Sequence, residues 1–292
     1  MRPSTSQDRS RLEARLPRPK PDIDTTEESF AKRKDRRRPH GRVRAGALGS
    51  DGSAVPGMAW LLEKGIVHSV DAELRSGKEA TIYVGQGPSG QLALKVFRDR
   101  SVRSFKRDER YQPTRRTRDR ATVKAIAAAG RRGVGADNAR WALNEYRMLW
   151  RAHRAGLSVP EPLVGPGTRT MAKAGDVVVM RYLGDEAGAA PRLADAGLDA
   201  EDAAAAFGRS VAQLRALWRL GVVHGDYSTY NLLWWRGEVV VIDFPQAVDR
   251  TAPESDELLR RDVQNLCDTF AIAGVEADPA AVLAAVIAEP DA

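Results

Sequence analysis

The pattern of apolar and polar positions divides the chain near Met58. From residue 1 to about 55, Pro, Gly, Ser and charged residues dominate and apolar positions follow no period. Such a segment cannot bury enough surface to offset its ordering entropy and is predicted to be a basic disordered tail. From Met58 the pattern becomes regular. MAWLLEKG predicts a short helix stopped at Gly65, a residue suited to the left-handed position after a helix. In the stretch that follows, Ile82 and Val84, then Leu92, Leu94 and Val96, alternate as strand positions do, and GPSG at 87–90 supplies a turn. The reading is a three-strand meander whose first two strands are joined by the loop RSGKEA.

After residue 136 the period lengthens. DNARWALNEYRMLWRAHRAGL places Trp141, Glu145, Met148 or Leu149 and Ala152 at helical spacing, with an N-cap at Asp137 or Asn138 and a stop near Gly156. VPEPL and PGTRT read as loops, and DVVVMRYLG as a buried strand running into a connector. AEDAAAAFGRSVAQLRALWRLG is a long amphipathic helix with Ala203, Phe207, Val211, Leu214 and Trp218 on one face. VVHGDYSTYN reads as a loop, and NLLWW and EVVVID as a hairpin turning at Arg236-Gly237. The stretch 255–272 reads as a final helix with Leu259, Val263, Leu266 and Phe270 buried. A β-rich half precedes a helix-rich half, which predicts an α+β fold of two lobes with a cleft between them. The first lobe is expected over 56–179, interrupted at 98–136 by a basic flexible insert with helical character around 119–129, and the second over 180–292.

Composition changes this picture at two places. The net charge of +7 is concentrated: residues 1–50 hold 14 Lys/Arg against 7 Asp/Glu, and residues 98–132 hold 13 against 4. The run AKRKDRRRPHGRVR at 31–44 and the segment 98–132 therefore form basic patches that attract polyanions. The run 31–44 lacks the interleaved aromatics that stack on bases. No apolar run reaches the roughly 18 residues that would cross a bilayer, and the N-terminus has no apolar core of the signal-peptide kind. The expectation is a soluble, cytoplasmic protein with no membrane partner. The single Cys267, in a helical apolar pattern, reads as core filling rather than as a disulfide or metal ligand.

Candidate chemistry then gives the halves a joint purpose. Phosphoryl transfer from ATP needs a loop over the phosphates, a cation to grip them, oxygen ligands for Mg²⁺, and a carboxylate to orient the attacking hydroxyl. The chain offers these in the order protein kinases use. Ser76, Gly77 and Lys78 form a small-residue loop between strands. Lys95 ends the third strand in LALKVF, and Glu145 sits mid-helix where it can pair with that lysine. Met180, Arg181, Tyr182 and Leu183 follow a buried strand, at the place of an adenine-binding hinge. Asp226 and Asn231 keep the five-residue spacing of a catalytic loop, and Asp243 ends the apolar run VVVID.

Over roughly residues 60–272 the chain resembles the RIO family of atypical serine/threonine protein kinases. RSGKEATIYVG, LALKVF, WALNEYRML, MRYLG, HGDYSTYN, VIDFPQAVD and LLRRDVQNLCDTF carry the resemblance in order. It implies a two-lobed kinase-like fold with a compact helical second lobe and no activation loop. It also implies ATP and Mg²⁺ as cofactors, with Mn²⁺ able to stand in. Lys95 would bind the α- and β-phosphates with Glu145 as its partner. Asp226 would be the catalytic aspartate, Asn231 and Asp243 the metal ligands, and Ser76, Gly77 and Lys78 phosphate-loop contacts. Backbone groups at Met180, Arg181 and Leu183 would meet adenine. His224 and Tyr230 are expected to pack. The acceptor would be a serine or threonine hydroxyl of a protein of unknown identity, of the chain itself, or water. The segments 31–44 and 98–132 would suit an RNA or ribosomal surface.

Asp243 is followed by Phe-Pro rather than Phe-Gly. Pro245 fixes φ and lacks an N–H, so the flip associated with that glycine is not expected. Two other readings share these residues. A small-molecule phosphotransferase of the aminoglycoside or choline kinase type also uses HGD and IDF segments. Against it stand RSGKEATIY and the expectation of one helix after Asp243. The other is an ATP-driven assembly switch, in which Asp243 itself accepts phosphate.

Overall fold

The computed structural model describes residues 55–77, 79–98 and 135–288. The expected tail, the basic run at 31–44, the helical reading around 119–129 and Lys78 lie outside the described residues. The fold is α+β, a sheet-based lobe followed by a helical one, as a kinase-like chain requires.

The first lobe opens with α1 (Met58–Glu63), which ends ahead of Gly65 at φ 65°. Strands β1 (Ser69–Ser76), β2 (Ala80–Gly87) and β3 (Gly90–Phe97) form the expected meander, and β4 (Val177–Arg181) joins β3 to complete an antiparallel sheet in the order β1-β2-β3-β4. Register decides which side chains meet. Ile82 lies opposite Lys95 and Val84 opposite Ala93, so these four share one face. Leu92, Leu94 and Val96 point to the other face and belong to the first core with Met58, Leu61 and Tyr146. The two apolar sets that alternate in the sequence thus serve opposite faces. The half-buried Ile82 and Val84 are on the side that carries the lysine.

Helix α2 (Gly135–Arg154) ties the lobes together. It is already helical at Gly135, so Asp137 and Asn138 lie inside it and neither is its N-cap. Its stop at Gly156, φ 76°, is where the sequence places it. Ala142, Leu143 and Tyr146 belong to the first core, whereas Met148, Leu149 and Ala152 belong to the second. Tyr146 OH accepts the Val179 N–H of β4 at 2.6 Å, which fixes the helix against the sheet. PGTRT is not wholly a loop, because α3 (Thr168–Lys173) begins within it.

The second core gathers α4 (Ala200–Arg219), the hairpin of β8 (Leu232–Trp235) and β9 (Glu238–Val241), and α5 (Ser255–Ala271). Between β4 and α4 lie the short strands β5 (Gly184–Asp185) and β6 (Gly188–Ala189) and a 3₁₀ turn at Leu193–Asp195. Strands β7 (Val222–Val223) and β10 (Val248–Asp249) pair antiparallel and bracket the segments that carry Asp226 and Asp243. Arg236 and Gly237, at φ 53° and 75°, make the two-residue turn between β8 and β9 whose twist suits a hairpin. Leu259, Val263, Leu266 and Phe270 are buried on α5, as is Cys267. A further helix, α6 (Pro279–Ile287), follows, capped by Asp278 with Pro279 in its first turn, so α5 is not the last helix. Two helices after Asp243 also remove the helix-count objection to a small-molecule phosphotransferase. No helix among the described residues is long and apolar enough to cross a membrane.

Candidate active site

Lys95 reaches the cleft because β3 alternates. Its neighbours Leu94 and Val96 fill the first core, which turns the lysine to the opposite face. There its Nζ donates to both Glu145 oxygens, at 2.9 and 2.7 Å, and to Asp243 Oδ1 at 2.7 Å. Three distant segments (β3, α2 and the loop after β9) are pinned at one ammonium. Burial alone would pull Lys95 down, but the two carboxylates hold it above its ordinary value. Glu145, 2% exposed, is pushed up to about 7 by burial, against the pull of Lys95. Asp243 keeps 36% of its side chain open to solvent. Burial would raise it too, but Lys95 holds it below the usual carboxylate value.

The loop carrying Asp243 is held in a costly shape. Asp243 has φ 72°, a region that a non-glycine residue occupies only when its surroundings enforce it. The surroundings are on both sides. Ile242 N–H donates to the Asn231 carbonyl at 3.0 Å, and the Ile242 carbonyl accepts His224 Nε2–H at 3.0 Å. Asn144, one residue before Glu145, donates Nδ2–H to the Pro245 and Ala247 carbonyls at 2.9 and 3.2 Å. The helix that supplies Glu145 therefore also clamps the backbone after Asp243. His224 is buried between the rings of Tyr227 and Phe244, as its expected packing role requires.

Within the catalytic loop, Asn231 donates Nδ2–H to the Asp226 carbonyl at 2.8 Å and to Asp226 Oδ2 at 2.9 Å. This orientation leaves the Asn231 side-chain oxygen as an acceptor. The loop itself hangs from Asp262 of α5. That carboxylate accepts Gly225 N–H at 2.7 Å and Tyr227 N–H at 2.9 Å, one on each side of Asp226. Arg261 donates to the Gly225 carbonyl, and Tyr227 OH donates to the Ser210 carbonyl of α4 at 2.8 Å. Gly225 sits at φ 83°, which a side chain would strain. Asp262 is fully buried, and burial pushes its pKa up against the pull of His224 and the two N–H groups.

Ser76 and Gly77 lie at the β1–β2 turn, which Gly77 N–H closes onto the Ala80 carbonyl at 2.9 Å. Ser76 Oγ accepts from Arg98. At the hinge, Met180 packs against both cores. Arg181 N–H is already given to the Glu161 carbonyl at 2.8 Å, and the Leu183 carbonyl accepts Ala190 N–H at 2.9 Å. Leu183 N–H makes no hydrogen bond among the described residues, so it is the hinge amide open to a ligand. Tyr230, expected to pack, is 49% exposed instead, because the 3₁₀ turn at Thr229–Asn231 buries its neighbours and turns it outward.

Sequence reasoning missed Asp262 and Asn144, the residues that hold the two loops. Asp262 leaves a trace, as a carboxylate beside Val263 on the apolar stripe of α5.

The comparisons with known proteins follow the same residues. The RIO domain family matches residues 81–282. The chain is 34% identical over 231 residues to "Serine/threonine-protein kinase RIO1" of Caenorhabditis elegans, covering 79% of this chain and 42% of that protein. It is 30% identical over 229 residues to "RIO-type serine/threonine-protein kinase Rio1" of Haloferax volcanii, covering 75% and 69%. Human "Serine/threonine-protein kinase RIO3" is 27% identical over 230 residues, covering 74% and 41%. The matched region thus spans under half the length of the animal relatives and about two thirds of the archaeal one. With the sheet lysine bonded to both the helical glutamate and the aspartate after β9, and the RIO domain matched over residues 81–282, this chain belongs to the RIO family.

Proposed function

We propose that the chain transfers the γ-phosphoryl group of ATP to serine or threonine hydroxyls, those of its own residues included. The observation that carries this is the convergence of Lys95, Glu145 and Asp243, with the Asp226–Asn231 pair in the adjoining loop. Lys95 grips phosphate oxygens, and Glu145 keeps its ammonium in place. The backbone N–H of Leu183 would read adenine from the hinge, and the turn at Ser76 and Gly77 would contact the phosphates. Asp226 orients the acceptor hydroxyl and takes its proton as the oxygen bonds to the γ-phosphorus and the bond to the ADP oxygen breaks.

The donor set fits Mg²⁺. No cluster of three or more His, Cys, Asp or Glu side chains stands ready for a metal among the described residues. A hard cation that keeps waters and binds phosphate oxygens needs only one or two protein oxygens. Asn231 and Asp243 would supply them, and the ion, when bound, neutralises charge on the phosphate oxygens. Positioning and charge neutralisation then account for the rate. For the acceptor, the names of the relatives favour a protein over a small molecule. The basic segments 31–44 and 98–132 support an RNA or ribosomal surface as the place where that protein is met.

The test is phosphate transfer to a mixed serine/threonine protein substrate by wild type and Asp226→Asn. Loss of a general base removes about 10²–10⁴-fold in rate. The variant should lose activity on that scale with ADP affinity intact. Equal rates in the two proteins would refute the assignment.

A further inference from the structure

Between β6 and the 3₁₀ turn at Leu193–Asp195 lies Arg192, a half-buried residue outside the centre described above. Its place is fixed from two sides. An antiparallel bridge pairs it with Leu233, two residues beyond Asn231, and Trp234 N–H donates to the Pro191 carbonyl at 2.9 Å. The 3₁₀ turn that follows it packs on the turn Thr229–Asn231 at the end of the catalytic loop. From the first lobe Arg75, the residue before Ser76, reaches Asp195 at 3.7 Å. Arg192 therefore stands where the catalytic loop, the β8–β9 hairpin and the phosphate-loop strand come together.

Its charge has no direct partner among the described residues. Among the described residues its guanidinium makes no hydrogen bond or ion pair, although Asp243, Asp195 and Arg75 lie within electrostatic reach. Burial and the like charge of Arg75 hold it below the usual arginine value. A half-buried group with five donors and no acceptor is costly to keep. A second arginine facing it adds repulsion. A phosphate lowers both costs, and the planar guanidinium fork matches its oxygens in pairs.

We infer that Arg192 is a phosphate-binding residue of the nucleotide site, holding the polyphosphate of ATP or ADP from the second lobe while Lys95 holds it from the first. This rests on the nucleotide reading above. It gives the second lobe a direct share in nucleotide affinity.

The test is calorimetric titration of the full chain with ADP plus Mg²⁺, and separately with adenosine, for wild type, Arg192→Gln, Arg192→Lys and Lys95→Met. Charged hydrogen bonds of this kind are each worth about a tenfold change in affinity or more. Arg192→Gln should weaken ADP by that factor and leave adenosine unchanged, with Arg192→Lys between it and wild type. Unchanged ADP affinity in Arg192→Gln overturns the inference, and a loss in Lys95→Met in the same series leaves the nucleotide reading standing. Equal weakening of ADP and adenosine also overturns it, since that marks a displaced hinge rather than a lost phosphate contact. A wild type that binds neither ligand overturns both. Should Arg192→Gln fail to fold, Arg192→Lys against wild type decides by the same ADP-to-adenosine ratio.

Discussion

Lys95 carries one positive charge and touches two carboxylates, so the three groups are net negative whenever both carboxylates are ionised. The most enclosed member bears the consequence, and Glu145 is pushed from its ordinary value of 4.5 up to about 7. In the folded chain Glu145 thus holds a proton more tightly than in the unfolded chain. The stability from this group is complete below about 4.5 and lost as pH rises through about 7. Glu145→Gln, which mimics the protonated form, should therefore gain on wild type in nucleotide-free melting temperature as pH goes from roughly 5 to 8. Parallel thermal melts check this, and a difference that does not change with pH would contradict it. The same substitution should lower phosphate transfer at every pH, because a neutral amide holds the lysine ammonium less firmly. The site would then be a place where activity and stability pull apart. Lys95→Ala leaves both carboxylates without their cation, and breaking such a buried pair costs about 3–5 kcal/mol. Chemical denaturation should show a loss of that order.

Elements act here as clamps on loops. Helix α5 fixes the catalytic loop through Asp262, which takes the N–H groups on either side of Asp226. Asp262→Asn keeps the volume but turns one acceptor oxygen into a donor facing an N–H. The expected cost is about 2–3 kcal/mol, with phosphate transfer falling well beyond any change in ADP affinity. Denaturation and calorimetry check the two halves of that statement, and equal losses of transfer and affinity would contradict it. The clamps also mark what the sequence can show. Helix α5 was legible because its buried face follows the helical period, and the meander and the β8–β9 hairpin because turn residues separate their apolar runs. On α4 the buried stripe is Ala203, Ala206, Ser210, Leu214 and Leu217, with the expected Phe207, Val211 and Trp218 only partly buried. The positions of Lys95, Asp226, Asn231 and Asp243 were legible as motifs because their spacing is local to one loop or strand. Asp262 and Asn144 were not, since their partners lie dozens of residues away and no window sees both ends of the bond. The start of α2 was misread because Asp137 and Asn138 resemble caps, yet the helix is already running at Gly135. Helix α6 was overlooked although Asp278-Pro279 is a start signal, because a short Ala-rich segment carries little periodicity.

At the scale of the molecule, two cores meet through α2 and Met180, each of which contributes to both. Helix α2 also joins the lysine to the loop after β9, since its Glu145 holds Lys95 and its Asn144 holds the Pro245 and Ala247 carbonyls. The basic segments 31–44 and 98–132 carry much of the chain's positive charge. If they meet RNA, affinity for a single-stranded RNA probe should fall linearly in log–log against salt. Replacing the Lys and Arg residues of 31–44 by Gln should flatten that slope, and an unchanged slope would rule the segment out. The central claim, that this cleft moves the γ-phosphate of ATP to a hydroxyl, is tested most directly by incubating the chain with γ-labelled ATP and Mg²⁺ and asking what bond the label forms. The account predicts protein-bound label that is stable to acid and hydroxylamine, requires metal and is absent in Asp226→Asn. Label released by hydroxylamine and lost in Asp243→Asn, with free phosphate accumulating, would contradict it and place the phosphate on the metal-loop aspartate instead.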